Sequence, residues 1–157
     1  MVSGVSYSIN ESKITISGVP DKPGIAATIF GILSKSNIDV DMIVQNISQD
    51  GISANLTFTV QSNEMSIAKR LLEKSKLEIN YKSITTNSKV AMVSVIGMGM
   101  KSQSGVAQKM FQTLADKKIN ILAISTSEIK ISVLIHQKYT EKAVKTLHKA
   151  YKINEKL

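Results

Sequence analysis

The chain has 157 residues, of which 43% are hydrophobic and 20% charged, enough for one ordinary domain or two small ones around a buried core. Because the sequence contains no cysteine and only two histidines, His136 and His148, it excludes disulfide scaffolds, thiolate zinc sites, cysteine nucleophiles and imidazole metal cages. The formal net charge of +8 belongs to residues 88–157, which hold twelve lysines and four acidic residues, whereas residues 1–87 hold eight basic and eight acidic side chains.

Strand and helix patterns alternate along the first half of the chain. Short β-branched runs that end in glycine predict strands, and the apolar residues Ile25, Ile29, Ile32 and Leu33 recur at helical spacing. The dipeptide at 50–51, Asp-Gly, predicts a hairpin between two strands. The elements predicted in this half are strands at 2–9, 13–17, 40–47, 53–60 and 78–85, a loop at 18–24, a helix after that loop and a second helix at 64–74.

The second half of the chain repeats the first at a shift of 81 residues. Nine positions between Ile14 and Ile43 fall on similar residues between Val95 and Ile124, and beyond Asp50 the shift becomes 75. The elements predicted in this half are strands at 90–96, 120–125 and 129–135, a loop at 97–105, a helix starting near Val106 and a second helix at 139–151.

Each repeat therefore has the order β-α-β-β-α, and a ferredoxin-like sandwich needs one further strand per unit. The run at 78–85 supplies this strand for the first repeat. In the second repeat too few residues follow the last predicted helix to form this strand, and we infer that the spare N-terminal strand completes the repeat. We expect an α+β fold of two ferredoxin-like βαββαβ domains, with antiparallel sheets and helices on one face. The first domain spans residues 12–87, and the second spans residues 88–157 with strand 2–9, so that the two are interlocked.

Patterns for catalysis and nucleic-acid binding are weak. Asp39 and Asp41 lie two residues apart, and we expect them to be loop and strand-edge residues rather than a pair for acid and base work. The glycine-rich run at 97–102 lacks the spacing of a phosphate loop. Lysines 138, 142, 145 and 149 form one stripe of an amphipathic helix. The stacking aromatic residues that usually accompany single-strand nucleic-acid binding are nearly absent, so we interpret the stripe as a solvated face. We expect no catalytic residue, no metal, no cofactor and no nucleic-acid partner.

Membrane and export signals are also missing from the sequence. No window approaches the run of about 18 apolar residues that marks a membrane span. The first ten residues lack the basic start and apolar run of a signal peptide. We therefore expect a cytoplasmic protein with no membrane partner.

The loop before the first predicted helix is the most informative stretch. Gly24 at the helix start would let backbone N–H groups approach a ligand, and together with the helix dipole these groups suit a carboxylate. Asp21 beside them is placed to receive an ammonium group, so the pair of features fits a free amino acid. The alternative interpretation is that Pro20, Asp21, Pro23 and Gly24 only cap the helix and fix the entry of the chain.

Two stretches of the first repeat identify a family. The run ISGVPDKPGIAA at 16–27, followed by NIDVDMIVQN at 37–46, strongly resembles the regulatory region of aspartokinases, which carries tandem ACT domains. The second repeat resembles this region through GMGMKS at 97–102, and the resemblance extends over about residues 2–151. It implies that the kinase domain, which phosphorylates aspartate with ATP, lies outside this chain. The chain would then be a regulatory fragment or the small subunit of a two-subunit enzyme.

The resemblance also implies a regulatory site. In the family, the feedback effector, threonine or lysine, sits where a first ACT unit meets the second ACT unit of another chain. Carried over by position, the effector contacts are Asp21, Lys22, Pro23, Gly24, Ile25, Ala26 and Gln45, with Asn120 and Ile121 from the facing unit. A side-chain amide at Gln45 suits a threonine hydroxyl better than a lysine ammonium, so threonine is favoured.

The partners that follow are a free amino acid, a second copy of the chain bound through the ACT domains, and an aspartokinase catalytic domain or subunit. The loop at 100–105 loses the aspartate of the first repeat, so we expect one type of site per chain, and two sites per dimer. The competing hypothesis is an ACT scaffold that assembles kinase subunits and senses nothing.

Overall fold

The computed structural model describes residues 2–97 and 103–152, which fold into two compact units. Residues 10–88 form the inner unit, and the residues up to position 9 together with those from 89 onward form the outer unit. In chain order the elements are β1 Gly4–Pro20, α1 Ile25–Lys35, β2 Ile43–Ile47, β3 Ser53–Gln61, α2 Met65–Lys74, α3 Lys76–Ile79, β4 Ser83–Ile96, α4 Gln103–Asp116, β5 Ala123–Thr126, β6 Lys130–His136 and α5 Thr140–Ala150. Both boundaries between the units fall inside long strands, β1 and β4.

The inner unit has a sheet with the strand order β2-β3-β1-β4. β3 runs antiparallel to both of its neighbours. Alternate residues of β1 and β3, among them Ile14, Ile16, Leu56 and Phe58, are buried in one core with residues of α1 and α2. Phe30 of α1 meets Phe58 edge to face, with ring centroids 5.3 Å apart. The helices therefore cover one face of this sheet.

A β-bulge near the end of β1 leads the chain toward the first loop. The register between β1 and β3 shifts between Ile16 and Val19, and Gly18 within the bulge has a φ of 70°. The Gly18 N–H donates to Asn55 Oδ1 at 3.0 Å, and a Cβ added at Gly18 would lie 2.6 Å from Cγ of Lys82. Glycine is therefore required here by both the backbone angle and the available space.

The outer unit has a sheet with the strand order β1-β4-β6-β5, and β6 is antiparallel to β4 and β5. Its core joins buried residues of β4 and β6, such as Val93 and Val133, to Leu147 of α5. Val2 and Val5 pack against the same core. The start of β1 is therefore an edge strand of the sheet in the outer unit, and the start of β4 is the corresponding edge strand in the inner unit. The prediction of two antiparallel α+β units with helices on one face is confirmed.

Five predicted boundaries are wrong. The strands predicted at 2–9 and 13–17 form one strand, β1, which continues to Pro20 and shortens the predicted first loop. The strand predicted at 78–85 begins only at Ser83, because α3 and the left-handed residue Asn80 precede it. The helix predicted from Val106 begins at Gln103, and the strands predicted at 40–47 and 120–125 begin only at Ile43 and Ala123. No helix in the described part of the chain is both long and apolar enough to span a bilayer.

Candidate functional site

The first loop of the inner unit ends at the exposed N-terminus of α1. Gly24 occupies the N-cap with φ 91° and ψ −11°, and no side chain caps this end. The first intrahelical bond runs from the Thr28 N–H to the Gly24 carbonyl at 3.0 Å, and the Thr28 hydroxyl donates to the same oxygen at 3.1 Å. The first N–H groups of a helix have no intrahelical partner, and in α1 that of Ile25 donates instead to the Lys22 carbonyl. The other N–H groups at this end, with the helix dipole, form a site suited to a small anion.

The backbone of this loop is held in place while its side chains are exposed. The Asp21 N–H donates to the Ile52 carbonyl at 2.9 Å, which ties the loop to the turn between β2 and β3. The Ile25 N–H lies 3.4 Å from the Lys22 carbonyl, and the Ile25 side chain is buried in the core of the unit. The side chains of Asp21, Lys22 and Pro23 are exposed. The loop therefore presents a carboxylate and a lysine from a fixed backbone.

Gln45 lies on the edge strand β2 of the same unit. It stands opposite Leu56 of β3, and since opposite residues of antiparallel strands share a face, Gln45 lies on the helix-covered face. Leu56 is buried on that face, whereas Gln45 is exposed. Its neighbours on that face, Ile43 and Ile47, are 50% and 60% exposed. The edge strand therefore presents a side-chain amide between two aliphatic side chains.

The two remaining predicted contacts belong to the outer unit. Asn120 and Ile121 lie in the link between α4 and β5, where Asn120 is exposed and Ile121 packs against the core. The Leu122 N–H donates to the Leu134 carbonyl at 2.8 Å and anchors this link to β6. Asp21 to Ala26 and Gln45 thus share the inner unit, and their joining with Asn120 and Ile121 stays a prediction. The predicted second loop at 100–105 lies partly outside the described residues.

Sequence reasoning missed two features around these residues. The first is that Ile43 and Ile47 are exposed. A run of β-branched residues predicts a strand but does not tell whether its side chains are exposed or buried. The second is a cavity of about 240 Å³ in the inner unit, which Glu11, Asp39 and Asp41 line together with residues of β3. Burial, and then the neighbouring Asp41 carboxyl, raise the pKa of Glu11 to about 7. Asp39 and Asp41 both precede β2 and lie in a loop, in agreement with the expectation of loop and strand-edge residues.

The residues considered for catalysis include His136, whose contact in the structure is explained by a structural role. Nδ1 of His136 accepts a hydrogen bond from the Lys138 N–H at 3.1 Å and so caps the single-turn 3₁₀ helix Gln137–Tyr139. Within 2–97 and 103–152, no group of three or more His, Cys, Asp or Glu residues is placed to hold a metal ion. The glycine-rich run at 97–102 lies almost entirely outside the described residues.

Comparison with family models and curated proteins gives a consistent result. The model of the ACT domain matches residues 14–76 and 93–151, that is, both repeats. The aspartate kinase of Pseudomonas fluorescens is 48% identical over 154 residues, and the aspartokinase of Helicobacter pylori is 46% identical over 155 residues. These matches cover 98% and 99% of this chain, but only 37% and 38% of the two relatives. The chain thus spans well under half the length of these relatives.

Comparison with solved structures adds matches of similar length. A chain from a crystal structure of aspartokinase alpha and beta subunits is 43% identical with a TM-score of 0.90, and the match covers 98% of this chain and 100% of that one. The ligand-free regulatory subunit of aspartate kinase from Thermus thermophilus is 36% identical with a TM-score of 0.87, and coverage is 96% and 99%. The similarity therefore extends over the whole length of both solved chains.

Proposed function

Because the chain belongs to the ACT domain family, as a regulatory region of the aspartate kinase type, we propose that it binds a free amino acid and gives feedback control over an aspartate kinase. The controlled reaction would be phosphoryl transfer from ATP to aspartate, the first step from aspartate toward lysine, threonine and methionine. The catalytic residues would belong to the kinase region that the longer relatives carry and this chain does not match.

The observation that carries the proposal is the uncapped N-terminus of α1 beside an exposed carboxylate. An amino acid has one carboxylate and one ammonium group, and it needs a partner of opposite charge for each. The amides around Gly24 to Ala26 would receive the carboxylate, with the Ile25 N–H shared with the Lys22 carbonyl, and Asp21 or nearby carbonyls would receive the ammonium. Lys22, Pro23 and Gly24 would complete the wall of the site.

Gln45 would read the side chain of the effector. An amide both donates and accepts hydrogen bonds, which matches a hydroxyl, whereas a lysine ammonium needs an anion or several carbonyls. The exposed Ile43 and Ile47 on either side of Gln45 offer contact to a methyl group. We therefore favour threonine over lysine as the effector.

The site would be completed by a second copy of the chain. Asn120 and Ile121 of the facing outer unit would close over the amino acid bound to the inner unit, giving two sites per dimer. An effector that contacts both chains binds the dimer better than the monomer and shifts the association equilibrium toward the dimer. A coupling free energy of about 1 to 3 kcal/mol to the kinase region would then give inhibition of about 5- to 150-fold.

Titration calorimetry of the chain with threonine, and separately with lysine, tests the proposal. We expect a millimolar or lower dissociation constant for threonine. Asp21→Ala should weaken binding by about ten- to a hundredfold, because it removes a charge-assisted hydrogen bond, and Gln45→Ala by about two- to tenfold. Gln49→Ala is the matched control, because Gln49 is an exposed glutamine in the β2–β3 turn of the same unit.

Absence of heat with both amino acids at millimolar concentration would contradict the proposal. Tighter binding of lysine than threonine would contradict only the effector preference. The competing function is a scaffold that assembles kinase subunits without sensing. Analytical ultracentrifugation separates the two, since a scaffold keeps the same mass with and without threonine, whereas a sensor of the proposed kind dimerises more strongly with it.

A further inference from the structure

The β2–β3 turn, residues 48–52, is connected to two of the side chains that would read the effector. It directly follows β2, the strand that carries Gln45. It also contains Ile52, whose carbonyl accepts the Asp21 N–H at 2.9 Å. All of these residues belong to the inner unit, so the connection is formed within one compact body. The conformation of this turn therefore bears on the position of Asp21 relative to Gln45.

Asp50 lies at the centre of the turn and holds two of its groups. Its Oδ1 accepts the Ile52 N–H at 2.9 Å and also accepts a hydrogen bond from the Ser48 hydroxyl. These contacts, that of Ser48 first, lower the pKa of Asp50, so its carboxylate is charged at neutral pH. Hydrogen bonds to an ionised acceptor are stronger than neutral ones. The exposed carboxylate therefore fixes the N–H side of Ile52.

The Ser48 hydroxyl extends this restraint to the carbonyl side of Ile52. Because its hydrogen is directed to Asp50, its oxygen is free to accept, and the Ser53 N–H lies 3.3 Å from it. The Ser53 N–H and the Ile52 carbonyl belong to one planar peptide group, in which the two bonds point in opposite directions. With the N–H held on the Ser48 side, the Ile52 carbonyl is directed toward the Asp21 N–H.

We propose that Asp50 is a positioning residue for the effector site, because it fixes the Ile52 carbonyl that holds the Asp21 backbone. This inference rests on the proposed function, in which Asp21 receives the ammonium group of the amino acid. Without the carboxylate of Asp50, the loop would be less ordered at Asp21, and binding would have to order it. The role requires no contact between Asp50 and the effector.

The backbone closes the turn without help from the Asp50 side chain. The Ser48 N–H donates to the Ser53 carbonyl at 2.8 Å, and the Gly51 N–H donates to the Ser48 carbonyl at 3.0 Å. Gly51 has a φ of 71°, which glycine adopts without strain. Replacing Asp50 should therefore leave the hairpin in place and release mainly the two peptide groups beside Ile52.

The test is titration calorimetry of the full chain with threonine and with lysine, in which affinities are compared for whichever amino acid the parent binds more tightly. Asp50→Ala should weaken binding by about two- to tenfold, because it removes both hydrogen bonds to the carboxylate. Asp50→Asn keeps an oxygen that accepts both, so its affinity should stay within about twofold of the parent. Gln49→Ala changes an exposed residue of the same turn and should have no effect.

Hydrogen exchange of the ligand-free chain, measured by NMR, gives a second readout that a general loss of stability would not imitate. The Asp21 amide should exchange several-fold faster in Asp50→Ala than in the parent, because its acceptor is no longer fixed. Exchange at Asp21 should be nearly unchanged in Asp50→Asn. Amides in the interior of β3 should exchange at the parent rate in both variants.

Four outcomes would overturn the inference. Unchanged affinity in Asp50→Ala, while the parent binds, would contradict it and leave the proposed function standing. Equal weakening by Asp50→Ala and Asp50→Asn would assign the effect to the charge of Asp50. Faster exchange at Asp21 and throughout β3 alike would show that Asp50 only stabilises the unit. An absence of heat from the parent with either amino acid would contradict the proposed function, and the role of Asp50 would fall with it.

Discussion

Glu11 is a glutamate whose side chain is buried beside two aspartates. It is 8% exposed and lines the same cavity as Asp39 and Asp41. Its pKa rises from 4.5 to about 7, because burial disfavours the charged form and the Asp41 carboxyl disfavours it further. The folded chain therefore binds this proton more tightly than the unfolded chain. Its stabilising contribution is complete below about pH 4.5, falls as the pH rises, and is lost above about pH 7.

This ionisation predicts that Glu11→Gln stabilises the chain at pH 8 and leaves it nearly unchanged at pH 4.5. The expected gain in the free energy of unfolding at pH 8 is about 1 to 2 kcal/mol once solvent screening at the mouth of the cavity is allowed for. Glutamine keeps the shape of the protonated acid and still donates to Asp41. Urea denaturation at the two pH values measures the effect.

The control for this prediction is Glu78→Gln, which changes an exposed glutamate of the same unit. It should shift stability by at most a few tenths of a kcal/mol at either pH. The same loss of stability between pH 4.5 and 8 in the Glu11→Gln variant and the parent would show that another group is responsible.

The sequence does not reveal this cluster of carboxyl groups. Asp39 and Asp41 are visible as a pair, but β2 begins only at Ile43, so the strand period does not predict where these two side chains lie. Glu11 joins them from a distant part of the sequence through the sheet, where it stands opposite Gln61. By contrast, Gly24 was predicted at the helix start from local spacing alone, and its left-handed backbone explains why glycine is needed there.

At the scale of elements, α1 and α4 end in the same way. Ile38 N–H donates to the Leu33 carbonyl at 3.1 Å, and Ile119 N–H donates to the Leu114 carbonyl at 3.0 Å. The residue before each isoleucine is left-handed, Asn37 with φ 58° and Lys118 with φ 59°. Both ends are Schellman motifs, in which glycine is the favoured left-handed residue. Asparagine adopts this conformation more readily than lysine, so the end of α1 has a lower conformational cost than the end of α4.

Lys118→Gly is therefore expected to stabilise the outer unit by about 0.5 to 1 kcal/mol, because glycine removes the steric cost of a left-handed backbone. Thermal or urea unfolding measures the change. Asn37→Gly is the matched control at the equivalent position of the inner unit, and its effect should be smaller. A loss of stability on Lys118→Gly would contradict the prediction and would mean that the greater entropy of glycine in the unfolded chain outweighs the relief of strain.

The alternation that predicted a strand at 78–85 has another origin. Ile79 and Tyr81 are both buried, but Ile79 ends the short helix α3 and Tyr81 follows the left-handed Asn80. Two buried residues at a spacing of two thus arise from a helix end and a turn. Elements with a full amphipathic period, such as α2 and α5, could be predicted within one or two residues, because their buried residues recur over several turns.

At the scale of the whole molecule, the internal repeat explains why the fold class was predictable. The repeat shows the same order of elements twice, and the start of β1 supplies the strand that the second copy lacks. Side-chain exposure was less predictable, because a buried strand and an exposed edge strand use the same β-branched residues. The division into a first domain at 12–87 and a second at 88–157 with strand 2–9 stays a prediction, and chain cleavage tests it.

Separating the chain at Ser88 should give two fragments with opposite behaviour. Residues 10–88 contain all four strands of their sheet, so this fragment should fold alone. Residues 89–157 lack the edge strand and the contacts of Val2 and Val5, whose partly buried side chains each contribute less than the roughly 1.5 to 3 kcal/mol of a fully buried one, against a typical domain stability of about 5 to 15 kcal/mol. This fragment should therefore be largely unfolded by circular dichroism and NMR. Adding a peptide of residues 1–9 in excess should restore part of the structure by mass action. A cooperative unfolding transition in the 89–157 fragment alone would show that the N-terminal strand is dispensable, and would contradict the interlocked arrangement.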